Sequence, residues 1–195
     1  MPTLSVYRTV RQLGATKWWI KEVKDDGSDL SPADTYAQGW IRAEHEFSIS
    51  VRTETRTDEG GNTHTLAGTR EARLTLTLAE NHAGAWNFAQ AALLQGKHFA
   101  IVIQRVGPER GGNHAGKYEY QFFPICQLAG DLSSRLPGTD LQLVFTVKPV
   151  PGPASRSVTL NGTTLPDYNG AAGGTVTVVA GEFASQIVEV NPSAS

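Results

Sequence analysis

Two stretches of strict alternation between apolar and polar residues dominate the middle of the chain. In the first stretch, apolar Phe47, Ile49 and Val51 alternate with polar residues, and in the second, apolar residues occupy every second position from Ala72 to Leu78. A period of two places each apolar set on one face of a β-strand. The two stretches therefore predict an antiparallel pair of strands with one face towards a core and the other towards water.

The polar face of this predicted pair carries hydroxyls and charges of both signs. Because a shift of one residue would turn the apolar set outward, the apolar positions also define the polar face. This face contains no group of residues that resembles a catalytic site, so we interpret it as a lining. Its candidate members are Ser48, Ser50, Arg52, Arg73, Thr75 and Thr77.

Residues 57–69, between the two strands, are polar and glycine-rich. A tight hairpin needs only about two to five loop residues, so this length predicts a loop with a function. With Leu66 as its one large apolar side chain, the loop would order on docking against another subunit, and the alternative is an idle flexible tip. The candidate contact residues are Asp58, Glu59, Asn62, His64 and Leu66.

A short helix is predicted after the second strand. Asn81 suits the N-cap and Gly96 the position after the C-terminus. We expect the helix to lie across the apolar face of the sheet with Trp86 as its core anchor. Its apolar stripe at helical spacing is Ala85, Trp86, Ala89, Ala92 and Leu93.

The remaining apolar or alternating runs predict further strands. The run over residues 98–106 is apolar on both faces, which is typical of a central strand covered on both sides. The fold class expected is mainly β: a β-sandwich or barrel with one short flanking α-helix and a β-rich C-terminal extension. The other predicted strands are residues 4–7, 18–23, 118–127 and 141–148, followed by pieces at 157–160, 175–179 and 186–190.

Prolines at positions 149, 151 and 153 divide the chain. We predict a β-sandwich domain over residues 1–148, a proline-rich linker over 149–154 and a β-rich arm or small appendage over 155–195. An arm this short cannot hold a sizeable core of its own. It would gain stability by docking on its own main domain or on a neighbour.

The composition of the chain argues against several classes of function. The chain of 195 residues has a net charge of −2 and a pI of about 6.2, so no global basic field attracts nucleic acid or anionic membrane. The single cysteine, Cys126, lies in an apolar run and is expected to be a buried structural thiol. No nucleophile elbow, phosphate loop or zinc motif is present. The sequence indicates no enzyme, no metal and no cofactor, and it has neither a signal peptide nor an apolar run long enough for membrane insertion.

The order of these elements resembles the major tail tube proteins of long-tailed bacteriophages, and also the inner-tube proteins of contractile injection systems. A polar-faced strand and a long loop are followed by a strand ending in Arg-Leu-Thr-Leu-Thr-Leu-Ala-Glu-Asn and a helix ending in Leu-Leu-Gln-Gly. The resemblance covers roughly residues 3–148. It implies a tail-tube fold in which six subunits join their inner sheets edge to edge into a ring, while the long loop reaches the adjacent ring.

This resemblance implies a structural virion protein of the phage tail, assembled in the host cytoplasm. The six polar-face residues would then face the lumen, and residues 57–69 would make the inter-ring contact. The implied partners are other copies in stacked hexameric rings, the tape-measure, tail terminator and distal tail proteins, and double-stranded DNA that passes without specific binding. Two features depart from the family: the polar face mixes Glu46, Glu54 and Glu71 with arginines, and the segment after Pro149 is not part of the minimal fold.

Three alternatives to a tube subunit stay open at this point. A tail terminator or a decoration protein would share the structural role. A binding module for carbohydrate or a cell-surface ligand would instead need an exposed aromatic platform, for which Trp18, Trp19 and Trp40 are the candidates.

Overall fold

The computed structural model describes residues 17–39, 42–78, 83–106, 118–129, 133–134, 141–168 and 174–190. It confirms the mainly β class with one helix; the predicted strand over residues 4–7 lies outside the described residues. The elements are β1 (Trp18–Val23), β2 (Ala37–Gln38), β3 (Arg42–Thr57), β4 (Thr63–Leu78), α1 (Ala83–Gln95), β5 (His98–Val106), β6 (Tyr118–Leu128), β7 (Ser133–Ser134), β8 (Leu141–Val147), β9 (Arg156–Leu160), β10 (Gly174–Val178) and β11 (Ser185–Val190).

One large antiparallel sheet forms the body, in the order β2-β1-β5-β6-β8-β4-β3. Strand β6 has two partners along the same edge: Cys126–Leu128 pair with β8, and Tyr118–Phe122 pair with β11. The C-terminal strand therefore belongs to the main sheet. Strands β9 and β10 form a separate antiparallel pair.

The first hydrophobic core lies on the face of the sheet that α1 covers. The rings of Phe47 on β3 and Phe123 on β6 are only 5.0 Å apart, edge to face, although two strands lie between β3 and β6 in the sheet. In a flat sheet three strand spacings would separate these strands by roughly 14 Å. The sheet is therefore bent, so that its two halves enclose this core.

The second core lies on the opposite face of β1, β5 and β6. The β9–β10 pair covers this face with its inward-pointing residues Val158, Leu160, Val176 and Val178, all of which are buried. Docking of the C-terminal segment thus takes place on its own chain.

Helix α1 approaches the sheet through its alanines. Ala85, Ala89 and Ala92 are buried, whereas Trp86 is half-buried against the first core and Leu93 is 38% exposed. Small side chains let the helix backbone come close to the strands, and this rotates the predicted stripe away from Leu93. Gly96 ends the helix with a φ of +61°, as predicted for the position after the C-terminus.

The expected loop over residues 57–69 is wrong. Strands β3 and β4 continue to Thr57 and Thr63, so only residues 58–62 form the loop. A register shift between Val51 and Thr53 places Arg52 opposite two residues of β4. The bulge inserts one residue into β4 and so breaks its period of two. In β3, residues 52–57 are all polar, so no apolar alternation is visible in this part of either strand.

No helix in the part of the chain that the structure describes is long and apolar enough to cross a membrane. Cys126 is completely buried, and this burial raises the pKa of its thiol above the ordinary range. The thiol is therefore a poor nucleophile, as expected of a structural cysteine.

Replacing Leu160 by Ala tests whether the C-terminal segment is part of the body. Leu160 is completely buried in the second core, so the change is expected to lower the free energy of unfolding by about 2–5 kcal/mol. Urea unfolding followed by tryptophan fluorescence measures this, because Trp18 and Trp19 report on the main sheet. Thr159→Ala, at the exposed neighbouring position, is the control. An unchanged unfolding midpoint for Leu160→Ala would show that the segment folds independently.

Candidate assembly surfaces

The first candidate surface is the outer edge of β3. This strand has 16 residues and pairs only with β4 among the described strands. At 3.3 Å per residue its edge is roughly 53 Å long. β3 contains neither lysine nor proline, two residues that commonly prevent an edge strand from pairing with another chain. The edge is suited to accept a further strand.

The second candidate surface is the polar outer face of β3, β4 and β8. Ser48, Ser50, Arg52 and Arg73 are exposed there, and Thr75 and Thr77 are partly buried. The register brings the six predicted residues onto one face, since Ser48 pairs with Arg73 and Thr75 and Thr77 pair with Val144 and Gln142 of β8. This face mixes hydroxyls, amides and charges of both signs.

The third candidate surface is the part of the β3–β4 hairpin that extends beyond β8. Strand β4 pairs with β8 only from Ala72 to Leu78. Towards the tip, β4 pairs only with β3 among the described strands. Ile49 and Val51, at the base of this part of β3, are 52% and 51% exposed. A two-stranded ribbon without a covering layer is marginally stable in water. Packing against a partner surface would therefore stabilise this ribbon.

A bulge lies at the base of the projecting ribbon. Gly68 fits there because a Cβ would overlap the backbone carbonyl oxygen of Arg52. Bulges bend a strand and increase its twist, so the ribbon changes direction at this position. Gly68 is not among the residues predicted from the sequence, although a glycine within a strand is a known sign of a bulge or close backbone contact.

Asp58 organises the hairpin tip. Its carboxylate accepts hydrogen bonds from the Asn62 backbone N–H at 2.8 Å and from the Asn62 amide at 3.2 Å, and it lies 3.0 Å from His64 Nε2. Gly61 has a φ of +81°, a left-handed conformation that glycine adopts without steric cost. Asp58, Glu59, Asn62 and His64 are all exposed at this tip. The backbone of Leu66 pairs with Glu54 within the ribbon, while its side chain lies outside the described part of the chain.

A cleft of about 240 Å³ lies where the C-terminal segment meets β1 and the turn that follows it. Its two cations are engaged in ion pairs: Lys21 lies 2.6 Å from Asp29, and Arg156 lies 3.2 Å from Asp26. Hydrogen bonds from Ser28, together with the charge of Arg156, lower the pKa of Asp26. The cleft is therefore a polar contact region between the C-terminal segment and the turn after β1.

Among the described residues, the tryptophans proposed for a carbohydrate-binding platform are not exposed. Trp18 and Trp19 are both completely buried and belong to different cores, while Trp40 lies outside the described residues. The described residues also contain no group of three His, Cys, Asp or Glu side chains that could hold a metal ion. The surfaces that the structure offers are extended β surfaces.

No protein-family model matches this chain, and no curated protein matches it. Among solved structures, the chain is similar to a chain in the cryo-EM structure of the anti-feeding prophage (AFP) baseplate, 6-fold symmetrised. The two chains are 13% identical, the alignment covers 74% of this chain and 92% of that chain, and the TM-score is 0.40. A similarity at this level carries no functional argument, so function must be inferred from the surfaces of the chain itself.

Replacing Gly68 by Ala is expected to disrupt the ribbon and leave the body folded. The added methyl group collides with the Arg52 carbonyl oxygen, at a cost of about 1–3 kcal/mol. Amide hydrogen exchange should then be faster over residues 53–57 and 63–67 and unchanged in β5 and β6. Gly162→Ala is the control, because a Cβ at that position meets no atom within 4 Å. Unchanged exchange in the ribbon of Gly68→Ala would contradict the role of the bulge.

The hairpin tip is expected to lose its order in acid. Hydrogen bonds from His64 first, and then from Asn62, lower the pKa of Asp58. A carboxyl whose pKa is lowered by folding stabilises the folded form above its ordinary pKa, about 3.9, and this stabilisation is lost as the pH falls through the lowered value. The amide resonance of Asn62, followed by NMR, should titrate with a midpoint below that ordinary value. Asp58→Asn should abolish the titration; a midpoint at or above about 4 would contradict the prediction.

Proposed function

We propose that this protein is a structural subunit of a phage-like tail, whose copies join through the outer edge of β3 into rings that stack as a tail tube. The observation that carries this proposal is the long edge of β3, which among the described strands is paired on one side only. Unpaired backbone N–H and C=O groups along an edge readily pair with another chain. Pairing between copies would satisfy these groups over much of the strand.

Rings follow from the kind of contact that an edge strand makes. When β3 of one copy pairs with a different edge of the next, the contact is head to tail, and such contacts close into a ring or continue as a filament. A sheet that closes across subunits has no free edge left. The resemblance of the sequence to tail tube proteins implies that these rings are hexameric.

The polar face of β3, β4 and β8 would line the lumen of such a ring. Ser50 and Arg73 lie on this face together with Glu46 and Glu71, so charges of both signs alternate with hydroxyls. Aligned cations would bind DNA phosphates through counterion release. A lining of mixed charge and hydroxyls lets double-stranded DNA pass without specific binding.

A structural role requires neither enzymatic activity nor a cofactor. We propose that it is not an enzyme and binds no cofactor, since the charged cleft is occupied by its own ion pairs. Its partners in the virion tail would be other copies, the tape-measure protein, the tail terminator and the distal tail protein. A terminator or decoration protein would share the fold but would not form long tubes by itself.

Negative-stain electron microscopy of the purified protein, concentrated after size-exclusion chromatography, tests this function. The expected result is hollow rings or tubes. A cysteine at Ser50 should then react with a bulky maleimide in free subunits and be protected in tubes. A cysteine at Gln90, exposed on α1, is the control and should react in both. The buried Cys126 does not interfere. Protein that stays monomeric, or equal labelling of Ser50→Cys in both states, would contradict the proposal.

A further inference from the structure

Beyond the bulge, towards its tip, the projecting ribbon has one face without charge. On β3, Thr53, Thr55 and Thr57 continue the side of the strand that begins with Ile49 and Val51. Thr65 and Thr63 of β4 pair directly with Thr55 and Thr57 and therefore lie on the same face. All seven side chains are exposed. We call the five threonines beyond the bulge the threonine face: Thr53, Thr55, Thr57, Thr63 and Thr65. Arg70, which pairs with Val51, lies on the same side at the base of the ribbon.

The bulge at Gly68 places the threonines of β3 and β4 on the same face of the ribbon. If the pairing of Val51 with Arg70 continued without a bulge, Thr57 would pair with His64 and the β4 threonines would turn to the other side. The observed register instead pairs His64 with Arg56 on the opposite face. One face of the ribbon therefore carries threonines, and the other carries Arg52, Arg56 and His64.

A matching surface lies on the C-terminal pair of strands. The inward residues of β9 and β10 fill the second core, and the outward residues are exposed and uncharged. Thr175 pairs with Thr159, and Thr177 pairs with Ser157 with their hydroxyl oxygens 2.8 Å apart. We call this set the hydroxyl face: Ser157, Thr159, Thr175, Thr177 and the half-exposed Val179.

We propose that the threonine face of one copy packs on the hydroxyl face of an adjacent copy, a contact that rests on the self-assembly proposed above. Both surfaces are short, uncharged two-stranded β surfaces with methyl groups and hydroxyls. Neither the threonine face nor the hydroxyl face contains a cation that could bind a phosphate, and this favours a protein surface over DNA as the partner. β-branched side chains pack well across paired sheets and their hydroxyls can pair with one another.

This contact gives the C-terminal segment a role in assembly. The threonine face and the hydroxyl face are different parts of the same chain, so the contact is head to tail and can repeat from copy to copy. It also places the charged face of the ribbon away from the interface. The contact therefore uses a face of the hairpin, in addition to any contact made by its tip.

Cross-linking between two single-site variants tests the contact. Thr55→Cys and Thr177→Cys subunits are mixed under assembly conditions and treated with a bismaleimide whose spacer is about 10 Å, the distance between packed sheets. The mixture should give a cross-linked dimer, and each variant alone should give none at this contact. Ser50→Cys mixed with Thr177→Cys is the control, because Ser50 lies on the opposite face of β3, and it should give no dimer.

Placing a charge in the interface gives a second measurement. Thr55→Arg should raise the subunit concentration needed for assembly at least about tenfold, since a desolvated guanidinium without a partner costs more than that factor represents. Gln90→Arg introduces the same charge on the exposed side of α1, outside the candidate assembly surfaces, and should assemble normally. Both positions are exposed in the free subunit, so equal melting temperatures should confirm that both variants fold.

The outcomes separate this contact from the proposed function. A wild-type protein that does not self-associate at any concentration overturns both. A wild-type protein that assembles, together with Thr55→Arg that assembles equally well or with no dimer between Thr55→Cys and Thr177→Cys, overturns the contact alone.

Discussion

Burial of both faces of β5 and β6 is the constraint on which the rest of the structure depends. Ile101 and Val102, neighbours on β5, are both completely buried, and they point into different cores. Leaving either face in water would cost roughly 25 cal/mol for each Å² of apolar surface. The bent half of the sheet and α1 must therefore cover one face, and the C-terminal strands must cover the other. The central and C-terminal parts of the chain form one body for this reason.

The projecting ribbon contrasts with this body. Its strands have each other as partners and no covering layer in the described part of the chain, whereas β5 is covered on both faces. A segment with so few buried contacts lies at the low end of local stability. Its sequence nevertheless shows specific features: Asp58 organises the tip, and Gly68 permits the bulge. A ribbon of low local stability but defined shape is suited to be stabilised when another subunit covers it.

Most elements of the fold could be predicted from the sequence because their periodicity is strong. The alternation around Phe47 and from Ala72 to Leu78 predicts β3 and β4, and the two-sided apolar run at 98–106 predicts the covered strand β5. Gly96 correctly marks the end of α1. The grouping of Ser48, Ser50 and the four other polar residues on one face also follows from the period of two, since the register of β3, β4 and β8 brings them together.

The order of apolar and polar residues along the chain predicts which residues are buried, where the strands and the helix lie, and which face of the long strands is polar. The elements that cover the apolar positions become known only from the fold. Val158 and Val176 are visibly alternating apolar residues, but their docking against β5 and β6 of the same chain depends on contacts between residues distant in sequence. The same holds for the bulge at Gly68, because an extra residue in one strand is defined only by the register of its partner. The local periodicity of a segment shows which of its faces is apolar. The pairing of strands and the bending of the sheet depend on contacts between residues that are distant in sequence.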